Sequence, residues 1–594
     1  MSNICNIEIA EHIQKLALMS EYCGENPFKV QAYKKAAGTL ETVEFEIDAE
    51  FLADETKTIG GIGKGIRLII EQFVTTGTSD AYGELIKKVP EDFFLMLSLP
   101  GIGIKKLKSI CEALEVNKLD DLLGAAKKAM IRELKGFSEK SEAGIISGIE
   151  YINSFKNSKL YCQVEGLGEN IKSILTEFNG VIGVDYCGEF SRGLPVINTF
   201  EFILNLSEFN DYKEISDCLR REISMVLIKS DELKLDFKDT ILKARALTFK
   251  VNSSDFLVNI LALTAGCDTF AELKTLMSYS PKYMSHILDS EFSFKAAFDD
   301  PVRAFSERIS GAVRILTAAE GVYEKYSISP RHSELAWKNF DRAELLSRGL
   351  FNADDIKGVF HIHSQYSDGL DTLGQICEKA LMNGYSYIGM ADHSKSSFYA
   401  NGLSEERLMR QLDEIDALNE KYSPFRIFKG VECDILSDGT LDYDDSVLTK
   451  LDYVIASVHQ NFKMPGDKMT ERVCRALSNP YVTMLGHPTG RLLNQRRGYE
   501  IDMHEVMNAA AKYRKLIELN CNPYRMDVDY KYLHEMERLG IMTSINPDAH
   551  TASDVGAVKF GINALNLGAA RREMILNTMT ADRISGIFQK IRSR

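Results

Sequence analysis

The chain has 594 residues, 45% apolar and 26% charged, the balance of soluble globular proteins rather than disordered ones, and its length calls for several domains, each with its own core. No run of about 18 apolar residues occurs, so no membrane partner is expected, and the start MSNICNIEIAEHIQ lacks the basic-then-apolar pattern of a secretory signal. A formal charge of −14 excludes a surface coated in basic patches, yet backbone amides and a few lysines can still hold phosphates locally. Scattered singly with no Cys-x-x-Cys pair, the 11 cysteines fit reduced thiols in a cytoplasm better than disulfides or a thiolate zinc site.

Residues 1–155 read as helices. AEHIQKLALMSEYCG has apolar spacing near the helical period and stops at Gly24; NPFKVQAYKKAAGTL follows with a basic face of Lys29, Lys34 and Lys35. A short pattern then recurs: IGGIGKGIRLI at 59–69, LPGIGIKKLKSI at 99–110 and LKGFSEKSEAGII at 134–146. Each places a tight glycine turn between two helices. Glycines let the chain reverse at positive φ and bring bare amides near a phosphate. The expected DNA-contacting residues are Gly61, Gly63 and Lys64 in the first copy, and Gly101, Gly103, Lys105 and Lys106 in the second. Two good copies and a degenerate third, with Ser138 in place of a glycine, resemble the helix-hairpin-helix family, which grips the DNA backbone without reading sequence.

Between 156 and 335 the order is helix, strand, turn and strands. VEGLGENIKSILTEF leads into VIGVDYCGEFSRG, then TFEFILNL and ALTFKVNSSDFLVNILALTAG. With the hairpins before it, this order resembles the family-X DNA polymerases, with an α+β nucleotidyltransferase-like palm and thumb. Gly188, Arg192 and Gly193 match that family's turn beside the incoming phosphates, and AEGVYEKYSISPRHSELA at 319–336 resembles the end of its thumb. Family chemistry needs three aspartates to hold two metal ions. By register from Gly188 the first two positions fall on Thr199 and Glu201, and counting back from SSDF puts the third near Leu247. One glutamate in three positions implies a palm that no longer polymerises. The lyase lysine of some family members falls on Ile69, so that activity is not carried over either.

After a linker at 336–356, residues 357–594 carry eight of the 11 histidines, most of them at the ends of apolar runs. GVFHIH, YIGMADH, FRIFKGVEC, YVIASVH, VTMLGHP, LIELNCN and MTSINPDAH alternate with amphipathic helical stretches. Seven strands alternating with helices imply a parallel sheet, most simply closed into a barrel with its active site at the carboxyl ends of the strands. Six of the seven runs end in potential ligands: His361 and His363 with Asp368 just beyond, His393, Glu432, His459, His487, and Asp548 with His550. Residues x and x+2 on a strand share a face, so the paired ones can converge. Nine imidazoles and carboxylates at one rim are a costly polar cluster unless cations organise them.

This segment resembles the PHP (polymerase and histidinol phosphatase) family, whose fold is a distorted (β/α)7 barrel. The resemblance implies three divalent ions, zinc, manganese or iron. His361, His363, Glu432 and Asp548 would hold the first, Glu432 bridging to a second on His459 and His487, with Asp368, His393 and His550 holding the third. The nucleophile is then cation-activated water, not a side chain; Asp548 or a neighbouring carboxylate takes its proton, and Arg491 and Arg525 grip phosphate oxygens or form rim ion pairs. Taken end to end, the multidomain order resembles a bacterial family-X DNA polymerase with a PHP domain. That implies a cytoplasmic, nucleoid-associated base-excision-repair protein acting on gapped, nicked or 3′-ended DNA as a 3′–5′ exonuclease. The rival readings are a working gap-filling polymerase, a histidinol-phosphatase-like enzyme and a non-enzymatic DNA scaffold.

Overall fold

The structure is a computed structural model that describes residues 6–40, 62–99, 101–155, 158–177, 181–206 and 342–593, three strands between 230 and 264 by their backbone, and a few single positions. Gly61 and nearly all of the thumb-like segment at 319–336 lie outside the described residues. The chain forms two compact units, Met1–Lys156 and Asn157–Arg594.

The first unit is helical. Helices α1 (Asn6–Tyr22) and α2 (Pro27–Leu40) pack through one core, in which Ile9, Ile13 and Leu16 are fully buried. The repeated turns open onto α3 (Lys64–Thr76), α6 (Ile104–Leu114) and α8 (Glu139–Ser154), with α4 (Asp80–Leu85), α5 (Phe93–Leu97) and α7 (Leu119–Lys127) between them. In the first two copies the residue before the helix is Gly63 or Gly103, and no side chain caps the first turn. In the third copy Ser138 caps α8 instead, its Oγ accepting from the Ser141 amide at 3.3 Å. The serine therefore occupies an amide that the glycine copies leave open. A buried carboxylate, Glu142, ties this copy down by accepting from the amides of Ile131 and Arg132 at 3.1 and 3.0 Å and from Arg132 Nε at 2.6 Å.

The second unit begins with β1 (Lys159–Leu160) and α9 (Tyr161–Thr176), then β2 (Val181–Cys187), α10 (Gly188–Arg192), β3 (Val196–Ile197) and β4 (Thr199–Leu206). Strands β5 (Ser230–Phe237), β6 (Ala246–Ser253) and β7 (Leu257–Thr264) complete a five-stranded sheet in the order β2-β4-β7-β6-β5. This order corrects one expectation. Leu247 lies on β6, across from Ala262 of β7, and is not beside β4. The strand parallel to β4 is β7, which sets Leu257 and Asn259 across from Thr199 and Glu201. That strand starts only after SSDF, so counting backwards from the motif lands one strand too far away.

The stretch read as a linker contains α11 (Arg342–Arg348), which is docked rather than free. The buried Arg348 guanidinium meets Glu344 and Glu537, both at 2.7 Å, and the Ala569 carbonyl at 2.8 Å. Parallel strands follow: β8 (Gly358–Ile362), β9 (Tyr387–Met390), β10 (Arg426–Phe428), β11 (Glu432–Asp434), β12 (Ile455–Ser457), β13 (Met484–Leu485), β14 (Leu516–Asn520) and β15 (Thr543–Asn546). They pair as β10-β9-β8 and β11-β12-β13-β14-β15. FRIFKGVEC is thus two pieces, β10 against β9 and β11 against β12. At the other junction Ile362 bridges Ala549, with His363 N–H donating to the Ala549 carbonyl at 2.9 Å. Phe360, Tyr387, Phe428 and Tyr453 fill the space between the strands, and Phe588 of the last helix, Ala581–Arg592, packs against them. The interior is a packed core, and the polar groups gather at the carboxyl ends.

Candidate metal centre

All nine predicted ligands come together at those ends. Ligand atoms of His363, Asp368, His393 and His550 lie within 4.8 Å of one another; so do those of His361, His363 and Asp548, of His361, Glu432 and His487, and of His393, Glu432 and His459. Glu432, at the start of β11, is the hub. Its Oε1 lies 2.8 Å from His487 Nε2 and 3.2 Å from His459 Nε2, and its Oε2 lies 3.1 Å from His393 Nδ1 and 3.3 Å from His361 Nε2. Asp548 Oδ1 is 3.2 Å from His363 Nε2, while Asp368 Oδ2 is 3.4 Å from His550 Nε2 and 3.5 Å from His393 Nε2. His363 belongs to two groups, facing Asp548 through Nε2 and Asp368 through Nδ1, where the sequence reading gave it one partner set.

The first two histidines do not converge by plain strand alternation. β8 is irregular between Val359 and Ile362, and His361 has a φ of 59°. Asp548, with a φ of 53°, is also in the left-handed region that non-glycine residues avoid. Such backbone costs roughly 1–3 kcal/mol per residue and persists where the surroundings over-determine it. Here it falls on two of the ligands.

The donor set fits divalent cations. His361 Nε2 and both ring nitrogens of His363 are buried without a hydrogen-bond partner, although carboxylate oxygens stand near them. Burial, with His550 and His393 close by, pushes His363 down to about 3, so it is the neutral imidazole that ligates metals. Burial works against the Glu432 carboxylate, but His361, His459 and His393 outweigh it and hold the group well below its usual range. His361, His459 and His550 are instead pushed up, against burial, by the carboxylates beside them, so each must give up a proton to ligate a cation. Imidazole beside ionised carboxylate suits zinc, manganese and iron alike.

Three carboxylates that sequence reasoning missed orient this set. Glu518 Oε1 lies 2.6 Å from His361 Nδ1, and its Oε2 accepts the His487 amide at 2.7 Å. Asp434 Oδ1 lies 2.5 Å from His459 Nδ1. Asp392 accepts from the amides of Ser364 and Ser367 at 2.8 and 3.1 Å, holding the loop that ends in Asp368. Partners of this kind fix the ring and tautomer of a ligating histidine. The signal was present: Glu518 is a lone charge in the apolar run LIELN, and Asp434 shares a face with Glu432 at x+2.

The two arginines separate. Arg525 Nε lies 3.3 Å from Asp548 Oδ2, at the centre. Arg491 instead pairs with Asp529 at 2.8 Å and donates to the carbonyls of Arg525, at 3.0 Å, and Met526. It braces the loop that carries Arg525, the rim ion pair that was one of its two expected roles.

In the hairpins Lys64 and Lys105 are exposed beside Gly63 and Gly103, Gly101 has a φ of 77°, and Lys106 lies 5.0 Å over the Phe137 ring. The palm turn is closed. Gly188, at a φ of 61°, is packed against the Glu201 carboxylate, which occupies the space a Cβ would need. Arg192 is 3% exposed and donates to the Ser278 carbonyl at 3.3 Å. A Cβ on Gly193 would stand 2.8 Å from the Asn563 side chain, so the turn expected beside nucleotide phosphates abuts the helix Val558–Leu567. Burial and the nearby Glu189 raise Glu201 to about 7, with Arg192 opposing.

Three family models match: a helix-hairpin-helix domain over residues 4–79, a SAM-like helix-hairpin-helix tandem over 93–150 and the PHP domain over 360–522. A probable phosphatase of Thermoanaerobacter sp. (strain X514) is 28% identical over 229 residues, 37% of this chain and 89% of that protein. Another, from Caldanaerobacter subterraneus subsp. tengcongensis, is 30% identical over 190 residues, 30% of this chain and 72% of its own. The DNA polymerase/3′-5′ exonuclease PolX of Bacillus subtilis (strain 168) is 30% identical over 605 residues, 98% of this chain and 99% of that protein. Matched along nearly its whole length, with hairpin domains at one end and a PHP domain at the other, the chain belongs to the PolX family of DNA polymerase/3′-5′ exonucleases.

Proposed function

We propose that this protein is a DNA-repair phosphoesterase, a metal-dependent 3′–5′ exonuclease whose polymerase-like region holds DNA without extending it. The observation that carries the reading is the convergence of nine imidazoles and carboxylates at the carboxyl ends of strands that we read as a distorted (β/α)7 barrel. About three ions are expected there, following the family's scheme. Divalent cations, when bound, activate water near neutral pH and absorb negative charge building on a phosphoryl group.

The side chains account for the rest. Glu432 stays ionised among four histidines and belongs to two of the four groups that would hold ions. Asp548 has Oδ2 tied to Arg525 and to Asn520 Nδ2 at 3.0 Å, which leaves Oδ1 toward His361 and His363. Arg525, anchored through Nε, turns its terminal nitrogens to a non-bridging phosphate oxygen. The hairpin amides at Gly63 and Gly103, with Lys64 and Lys105, grip the backbone of gapped, nicked or 3′-ended DNA. Loss of polymerisation is supported by Thr199 and Glu201 on β4, by Leu257 and Asn259 across from them, and by the closed turn at Gly188. Among the described residues no helix is long and apolar enough to cross a membrane, and we place the protein in the cytoplasm at the nucleoid.

A 5′-labelled oligonucleotide incubated with manganese should shorten from its 3′ end, and changing His361→Ala together with His363→Ala should abolish the shortening. Hydrolysis of a small phosphate monoester with DNA left intact would instead establish a histidinol-phosphatase-like enzyme.

A further inference from the structure

The most exposed large apolar side chain among the described residues is Phe398, 87% exposed. It does not sit on a loose loop. The segment leaves the strand at His393 and returns to it, the Leu403 amide donating to the His393 carbonyl at 2.8 Å. Between those points, Ser396 Oγ donates to Asp434 Oδ2 at 2.6 Å and its amide to Asp442 at 2.7 Å, while Ser397 Oγ reaches Asp434 at 3.1 Å. On the other side Asn401 Nδ2 donates to the Ser367 carbonyl at 3.1 Å. The short turn Phe398–Ala400 is therefore fixed to the partner of His459, to the neighbour of Asp368, and to His393 itself. Three metal ligands and one bare aromatic ring share a single rigid frame.

A second apolar group flanks the same ligands. Leu370 is 50% exposed, and its amide donates to the His550 carbonyl at 2.8 Å. Single exposed hydrophobes are ordinary on a protein surface. Two of them on loops hydrogen-bonded to ligands of one group, His393 and His550, are a different arrangement, because an apolar ring beside that group offers a face on which a base can stack.

We infer that Phe398 is a stacking platform for the unpaired base at the DNA end being cut, with Leu370 as a second apolar contact, and so sets the preference of this centre for nucleotides over base-free phosphoesters. The inference rests on the reading of the centre as a DNA exonuclease. Stacking suits such an enzyme because every base presents a π-face, so the platform is indifferent to sequence. It also requires the terminal base to be unstacked from its duplex, which makes frayed or single-stranded ends the favoured substrates.

The test uses the full-length enzyme with manganese and two 5′-labelled oligonucleotides, one with an ordinary 3′ nucleotide and one ending in a base-free tetrahydrofuran residue. In the parent enzyme the ordinary end should be cut with the higher kcat/KM. Phe398→Ala should reduce that preference by about 10- to 100-fold, mainly through KM for the ordinary end, and Phe398→Trp should restore it. If Phe398→Ala slows both ends equally, the ring supports the loop and the inference is overturned; an unchanged preference overturns it as well. Should the parent enzyme cut neither end, the exonuclease reading fails first and takes the platform with it.

Discussion

Glu432 shows how much of this centre depends on single atoms. Both of its oxygens face histidines, so Glu432→Gln removes charge from two of the four ligand groups at once without changing shape. It should lower exonuclease activity by well over the roughly 10- to 100-fold typical of losing an outer partner. Glu518→Ala removes only such a partner, from His361 and the His487 amide, and should fall within that range, read as kcat/KM at saturating manganese. In the palm, Glu201 provides a test by pH. Its folded pKa is raised to about 7 from 4.5, so the folded state takes up a proton and stability falls as pH rises through that window. Glu201→Gln, neutral throughout, should melt higher than the parent at pH 8 and little differently at pH 5. A parent that melts higher at pH 8 would show that the carboxylate is stabilised there by a partner such as a cation. At this scale the sequence is readable where chemistry marks a residue: an imidazole ending an apolar run stands out. Glu518 is marked as the lone charge in the apolar run LIELN, but only the fold shows which imidazole it faces, that of His361.

Elements divide along the same line. The hairpin helices are legible because glycine turns and helical periodicity are local, and the replacement of glycine by Ser138 is explained by its capping bond to Ser141. Sheet order is not local. Nothing in the alternation of β6 and β7 says which of them lies beside β4, and Leu247 was misplaced for that reason. The docking of α11 was equally hidden, since a short segment with one buried arginine has no periodic signature. If the glycine-led helices grip phosphates, Lys64→Ala and Lys105→Ala should each weaken DNA binding to a similar degree on any sequence. Each should also lower the salt dependence of log K by about one, measured by fluorescence anisotropy over a salt series. At the palm turn, Gly193→Val would drive a side chain into Asn563. Faster limited proteolysis within 158–206 is expected, with the Lys559–Glu165 ion pair, now 2.6 Å, as a contact that loosens with it.

At the scale of the molecule, a net charge of −14 would be reconciled with a DNA substrate if phosphates are held by a few amides and lysines in the first unit and by cations in the second, as proposed. In the sheet β2-β4-β7-β6-β5, Thr199 and Glu201 on β4 face Leu257 and Asn259 on β7, and the one carboxylate among them, Glu201, is packed against Gly188. At the carboxyl ends of the second unit, in contrast, all nine predicted ligands are brought together. The proposed division of labour puts the chemistry there and not in the polymerase-like sheet. It is tested most directly by incubating the protein with manganese, all four dNTPs and a one-nucleotide-gapped duplex labelled at the primer 5′ end. A ladder of shortened primers and no longer product is expected; a primer extended by the templated nucleotide would show that the polymerase-like sheet still polymerises.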